Sequence, residues 1–262
     1  MIFLTNIWEW GKSKKTYSLS DLDLRKASAL IDEASTSIEL LVTGLEKLKK
    51  AHDDSILHLS ILLLSLGYER ILKSLLLLNY LNENGDFPNK DVKLWKMGKH
   101  GHNIVELHRK LVNLPVLNEY AKKCPLCAEE VKFIRKNELF LNILKVLTNF
   151  GVDGRYYNLN YLLGDEKDYE NDPIEQWHEI RNEIFISSLD NSNSHDLKVI
   201  ENAERNADEK IEETIKISIG VFARMMLNNC FGDIGKQLVM IGRYHNWTKP
   251  LAENLVKRDS IK

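Results

Sequence analysis

The chain has 262 residues, 44% of them hydrophobic and 28% charged, with a formal net charge of −2. That composition is ordinary for a globular protein with a substantial core, and it excludes both a low-complexity chain and a globally basic nucleic-acid binder. Three cysteines (Cys124, Cys127, Cys230) are too few for a disulfide framework and fit a reducing compartment.

Five prolines and 13 glycines leave long unpunctuated stretches, so the expected fold class is all-α. Residues 1–17 read as an N-terminal arm, with Trp8 and Trp10 alternating with polar residues and no charged region or apolar run of the signal-peptide kind. A cytoplasmic protein is the expectation. Ser18 and Asp21 have capping-box spacing, and Leu30, Ala34, Ile38, Leu41 and Leu45 recur at helical intervals to about Lys50. Asp53, Asp54 and Ser55 cap a second helix that stops at Asn84-Gly85. This helix is apolar on nearly every side, which marks it as central and buried. Its apolar run is broken by Glu69, Arg70 and Lys73, too charged to span a bilayer.

A polar connector over 84–101 precedes a third helix from about His102 to Leu114. Pro115 and Pro125 bracket a short element, and 126–150 reads as one further helix. A loop with Gly151, Gly154 and Arg155-Tyr156-Tyr157-Asn158 follows. Asp172-Pro173 opens a helix through about Ser187, and a long helix runs from about His195 to Asn229. Gly232, Gly235 and Gly242 break up the tail, and Pro250 opens a last short helix. The expected architecture is a bundle of about five long helices around the central apolar one. The arm (1–17) would precede the bundle domain (18–231), and a short helical appendage (232–262) would follow it.

Charge is uneven along the chain. Residues 90–110 carry six Lys and Arg against Asp91 and Glu106, whereas 165–183 carry eight carboxylates against Lys167 and Arg181. Such segments pair within a chain, pair between two copies, or remain solvated. Lys90, Lys93, Lys96, Lys99 and His102 recur every third residue, and with Trp95 and His100 nearby they could grip phosphates and stack a base.

Three further groups could carry chemistry. Glu69 and Lys73 lie one helical turn apart inside the most apolar helix, where an unpaired charge is costly, although one solvated strip would explain both. His178 and Arg181 are neighbours on a later helix, an imidazole for proton transfer beside a guanidinium for phosphate, or two salt-bridging residues on an acidic helix. Cys124-Pro125-Leu126-Cys127 has zinc-knuckle spacing that His100, His102 or His108 could complete, the blander alternative being two half-buried thiols. No P-loop, dinucleotide fingerprint or metalloprotease motif occurs, and no cofactor is expected.

The segments Gly67-Tyr68-Glu69-Arg70-Ile71-Leu72-Lys73 and Gly101-His102-Asn103-Ile104-Val105-Glu106-Leu107 resemble the HEPN superfamily. So do the Arg155-Tyr156-Tyr157 loop and the Arg181-Asn182 pair, and the resemblance spans roughly residues 20–230. It implies a bundle of four or five helices that often dimerises, common in prokaryotic phage defence and toxin–antitoxin loci. Active members are metal-independent RNases with an Arg followed, after four to six intervening residues, by a His downstream. No arginine here has a histidine at that spacing, and Ile186, Ser187 and Ser188 stand where one would follow Arg181.

The resulting expectation is a HEPN-like protein that binds RNA or a nucleotide without standard RNase activity. Its groove would gather Glu69, Lys73, His102, Asn103, Arg155, Tyr156 and Arg181, with Tyr156 or Tyr157 stacking on a base. Two alternatives stand beside it: a protein–protein interaction module, expected to be a homodimer, and an RNase with an atypical centre at His102 or His178 with Arg181.

Overall fold

The computed structural model describes residues 17–51, 54–89, 101–152, 154, 162–164, 172–189 and 197–242. All regular structure among these is helical, and no helix there is long and apolar enough to cross a membrane. After a 3-10 turn at Leu19–Asp21 come α1 (Leu24–Leu48), α2 (Asp54–Asn84), α3 (Ile104–Val112), α4 (Pro115–Lys122) and α5 (Pro125–Lys136). These are followed by α6 (Glu138–Val152), α7 (Pro173–Ser188), α8 (Leu197–Leu227) and α9 (Gly232–Gly242).

The Ser18–Asp21 pair does close on itself, Ser18 N donating to Asp21 Oδ2 at 2.8 Å, but it organises the 3-10 turn. The cap of α1 is Asp23, whose Oδ1 accepts from Arg25 N and Lys26 N. The stretch expected as one helix over 126–150 is two. Asn137 leaves helical geometry, and its Oδ1 accepts the Phe140 amide at 2.8 Å, so it caps a new helix, α6.

The core gathers around α2, which buries residues on all sides, among them Leu57, Ile61, Leu64, Tyr68, Ile71, Leu72 and Leu75. It packs along α1 and against α3, α6 and α9. The approach of α1 and α2 is set by two glycines. A Cβ on Gly44 would stand 2.9 Å from Leu64 Cγ, and one on Gly67 would stand 2.7 Å from Leu41 Cγ. Each helix thus drops a leucine onto the other's bare backbone. On another side Tyr68 shares a hydrogen bond with Ser218 of α8 at 2.5 Å.

Helix α9, expected as part of an appendage, belongs to the common core. Ile234, Leu238 and Val239 are buried with the α2 residues, and Gln237 Oε1 accepts from Leu19 N. The expected arm (Tyr17 excepted), the Pro250 helix and residues 90–100 of the 84–101 connector lie outside the described residues.

Candidate functional site

Glu69 sits mid-way along α2, facing the start of α3, with its side chain only 8% exposed. A carboxylate so placed needs donors, and two converge on it. Lys73, one turn on, donates Nζ–H to Oε1 at 2.6 Å. His102 lies just before α3 with Nδ1 at 3.0 and 2.9 Å from the two carboxylate oxygens. A carboxylate on Nδ1 fixes the ring and its tautomer and leaves Nε2 as the outward-facing nitrogen. Lys73 is 22% exposed and His102 54% exposed, so the centre is a buried anion carrying two cationic or proton-bearing groups on its solvent side.

The neighbouring backbone holds this arrangement in place. Asn103 caps α3, its Oδ1 accepting Glu106 N at 2.8 Å, so its side-chain oxygen is engaged by the helix start. Val105 N donates to Thr148 Oγ1, and Ser65 Oγ donates to the Leu147 carbonyl, which fixes α3 and α6 beside α2. The bare Cα of Gly151 lies against Ser65 Oγ and the His102 carbonyl.

Arg181 and His178 are elsewhere. His178 Nε2 lies 3.1 Å from Asp54 Oδ1 at the first residue of α2, and Asp54 is fifteen residues from Glu69, roughly 22 Å along the helix axis. Arg181 lines the same cavity as Asp54, so the expected groove joining it to Glu69 and Lys73 does not form. That cavity, about 870 Å³, lies among the end of α1, the start of α2, α7 and α8. Leu48, Leu57, Trp177 and Ile211 supply its apolar lining. Among the described residues that line it, Asp54, Glu201, Glu204, Asp208, Glu209 and Glu212 stand with Lys49, Arg181 and Arg205, and Glu212 also pairs with Lys216. Arg181 forms a two-point ion pair with Asp208, Nε to Oδ1 at 2.6 Å, and this bond pushes the guanidinium further toward its charged form. Burial pushes the Glu212 carboxyl upward. The surplus of carboxylates disfavours an anionic phosphate here, and the Arg181 guanidinium is engaged by Asp208.

Arg155, Tyr156, Tyr157 and His100 lie outside the described residues, as do Lys90 to Lys99. The zinc set is divided. Cys124 and Cys127 open α5, His102 is engaged by Glu69, and His108 is buried elsewhere beside Phe140. Among the described residues no group of three or more His, Cys, Asp or Glu side chains is arranged to hold a metal.

Sequence reasoning missed a second buried polar centre. Glu130 of α5, 3% exposed, accepts from Arg224 of α8 through Oε1 and from Tyr120 OH through Oε2 at 2.5 Å. The signal was Arg224 itself, a lone charge among Phe222, Met225 and Met226 on an otherwise apolar stripe.

Comparison with protein-family models, with curated proteins and with solved structures found no match to this chain.

Proposed function

We propose that this chain is a HEPN-like helical-bundle protein that binds a phosphate-bearing ligand, RNA or a nucleotide, at the Glu69–Lys73–His102 centre. The observation that carries the reading is the convergence of Lys73 Nζ and His102 Nδ1 on one buried carboxylate. Glu69 orders both side chains before any ligand arrives, so little side-chain entropy is lost on binding. The remaining N–H groups of Lys73 then face solvent as donors for phosphate oxygens, and the imidazolium form of His102 adds a donor through its outer nitrogen. The lysine run from Lys90 to Lys99 enters the chain immediately before His102 and adds cationic character next to it in sequence.

The proposal has a direct test in single-stranded RNA and mononucleotide titrations at low salt, where phosphate contacts are strongest. Binding should weaken steeply with added salt. Loss of one charge-assisted contact, in Lys73→Ala or His102→Ala, should weaken it about tenfold or more. Arg181→Ala should leave it unchanged. No binding at low salt, or equal loss in all three variants, would overturn the reading.

The Glu69–His102 contact also favours a second reading, an RNase of unusual centre. A carboxylate on Nδ1 is the arrangement that prepares Nε2 to accept a proton, here the 2′-hydroxyl proton, while Lys73 stands beside it to neutralise phosphate charge. Cleavage that survives in His102→Ala protein would rule this out.

A further inference from the structure

The Cys124-Pro125-Leu126-Cys127 motif plays no part in the phosphate-binding centre, and its geometry has its own chemistry. Cys124 is the N-cap of α5 and Cys127 lies on the first turn, with Pro125 at the first helical position. The N-cap backbone is extended, φ −164° and ψ 161°, which folds the Cys124 side chain back over the helix start. Its Sγ accepts the Cys127 amide N–H at 3.1 Å. The Cys124 thiol and the Tyr120 hydroxyl both lie near enough to the Cys127 thiol to bear on its charge. Cys124 is partly exposed whereas Cys127 is 5% exposed. Both are free thiols in this structure.

This is the asymmetric layout that thiol–disulfide exchange needs. One sulfur is reachable, with a backbone N–H positioned to hydrogen-bond the thiolate that attacks. The second is hidden and waits within reach of the first. A disulfide requires Cβ atoms roughly 3.5–4.5 Å apart, less than the spacing of roughly 5–6 Å between residues three apart on a regular helix. The extended N-cap takes Cys124 out of that regular spacing and turns its Sγ onto the first turn, against the Cys127 amide.

We infer that Cys124 and Cys127 form a redox-active dithiol that exchanges with small-molecule disulfides of the glutathione class. The Cys124 thiolate attacks one sulfur of the disulfide RSSR, forming a Cys124–SR mixed disulfide and releasing the first RS⁻, which takes up the Cys124 proton. Cys127 then attacks Cys124 Sγ, the second RS⁻ departs, and it takes the Cys127 proton. The protein dithiol is oxidised by two electrons, and RSSR is reduced to two RSH. Cys230 stays outside the exchange. It is 2% exposed, and burial pushes its thiol up to about 12, far from the nucleophilic form.

The site borders structure that would register the change. Tyr120, which lies near Cys127, donates to Glu130, and Glu130 holds Arg224 of α8. Oxidation therefore alters the packing at one end of a buried ion pair that ties α5 to the long helix.

The experiment equilibrates the full chain with mixtures of reduced and oxidised glutathione, blocks remaining thiols with N-ethylmaleimide, and maps the peptides by mass spectrometry. The expected product is one Cys124–Cys127 disulfide, with Cys230 free and helicity retained by circular dichroism. Cys127→Ser should accumulate glutathione on Cys124, because nothing resolves the mixed disulfide. Cys124→Ser, which keeps an N-cap acceptor, should take up none on Cys127. Two free thiols at the oxidising limit, a bridge to Cys230, or a wild-type chain that halts at the mixed disulfide would each overturn the proposal. Should Cys127→Ser fail to fold, the wild-type peptide map alone decides.

Discussion

The side chain with the sharpest consequence of burial is His108. It is 4% exposed on α3, packed edge-on against Phe140 with ring centroids 5.6 Å apart. One ring nitrogen bonds the Ile134 carbonyl, and Nε2 has no partner. Such a ring resists a second proton, and burial pushes its pKa down to about 4. The unfolded chain carries the same histidine near its ordinary value of about 6.5. As pH falls through that value the unfolded state binds the proton first, so stability is whole above about 6.5 and declines toward 4, levelling below. The span corresponds to about 3 kcal/mol. A His108→Leu chain should lose about that much less between the two pH values, as read by urea unfolding at a series of pH. A variant tracking the wild type throughout would show that His108 does not govern the acid limb. Glu69 was legible in the sequence as a charge in an apolar helix. His108 was not, because its partner Phe140 lies 32 residues away and nothing local marks the ring as buried.

At the scale of elements, the α1–α2 pairing rests on Gly44 and Gly67, and helical propensity opposes packing there. An alanine in a helix interior is favoured over glycine by roughly 1 kcal/mol. At Gly67, however, a Cβ would come within 2.7 Å of Leu41 Cγ and 3.0 Å of the Leu41 backbone nitrogen, which has no room to retreat. Overpacking costs about 1–3 kcal/mol, so packing wins and Gly67→Ala should lower the urea midpoint. Gly101→Ala, outside any helix and with no described atom within 4 Å of the added carbon, is the control and should be neutral. The apolar periods of α1, α2 and α8 placed these helices within a few residues of their ends. The split at Asn137 escaped because a lysine–asparagine–glutamate stretch keeps the helical composition while one side chain ends the ladder. The site fared similarly. Glu69, Lys73 and His102 meet because α2 and α3 are neighbours, whereas the 178–181 segment meets α2 at its other end, and sequence has no ruler for that distance.

For the whole molecule, α9 closes the core. Its buried Ile234, Leu238 and Val239 each contribute about 1.5–3 kcal/mol on transfer from water. The chain ending at residue 231 should therefore be less stable by several kcal/mol, and a thermal melt with an unchanged midpoint would refute that role. Glycine-rich composition concealed this element, since Gly232, Gly235 and Gly242 read as breaks. Gly232 does break the chain, at φ 79°, but it starts the helix that follows.

The glycine-seated contact of α1 with α2 has a further consequence in time. Those two helices are consecutive, with five residues between them, so closing that hairpin costs less chain entropy than joining elements far apart in sequence. Helix α8 must return across more than a hundred residues before Ser218 can meet Tyr68. The hairpin is therefore the natural early assembly and α8 the late arrival. Faults at Gly44 or Gly67 would then retard folding, whereas faults at Ser218 would chiefly hasten unfolding.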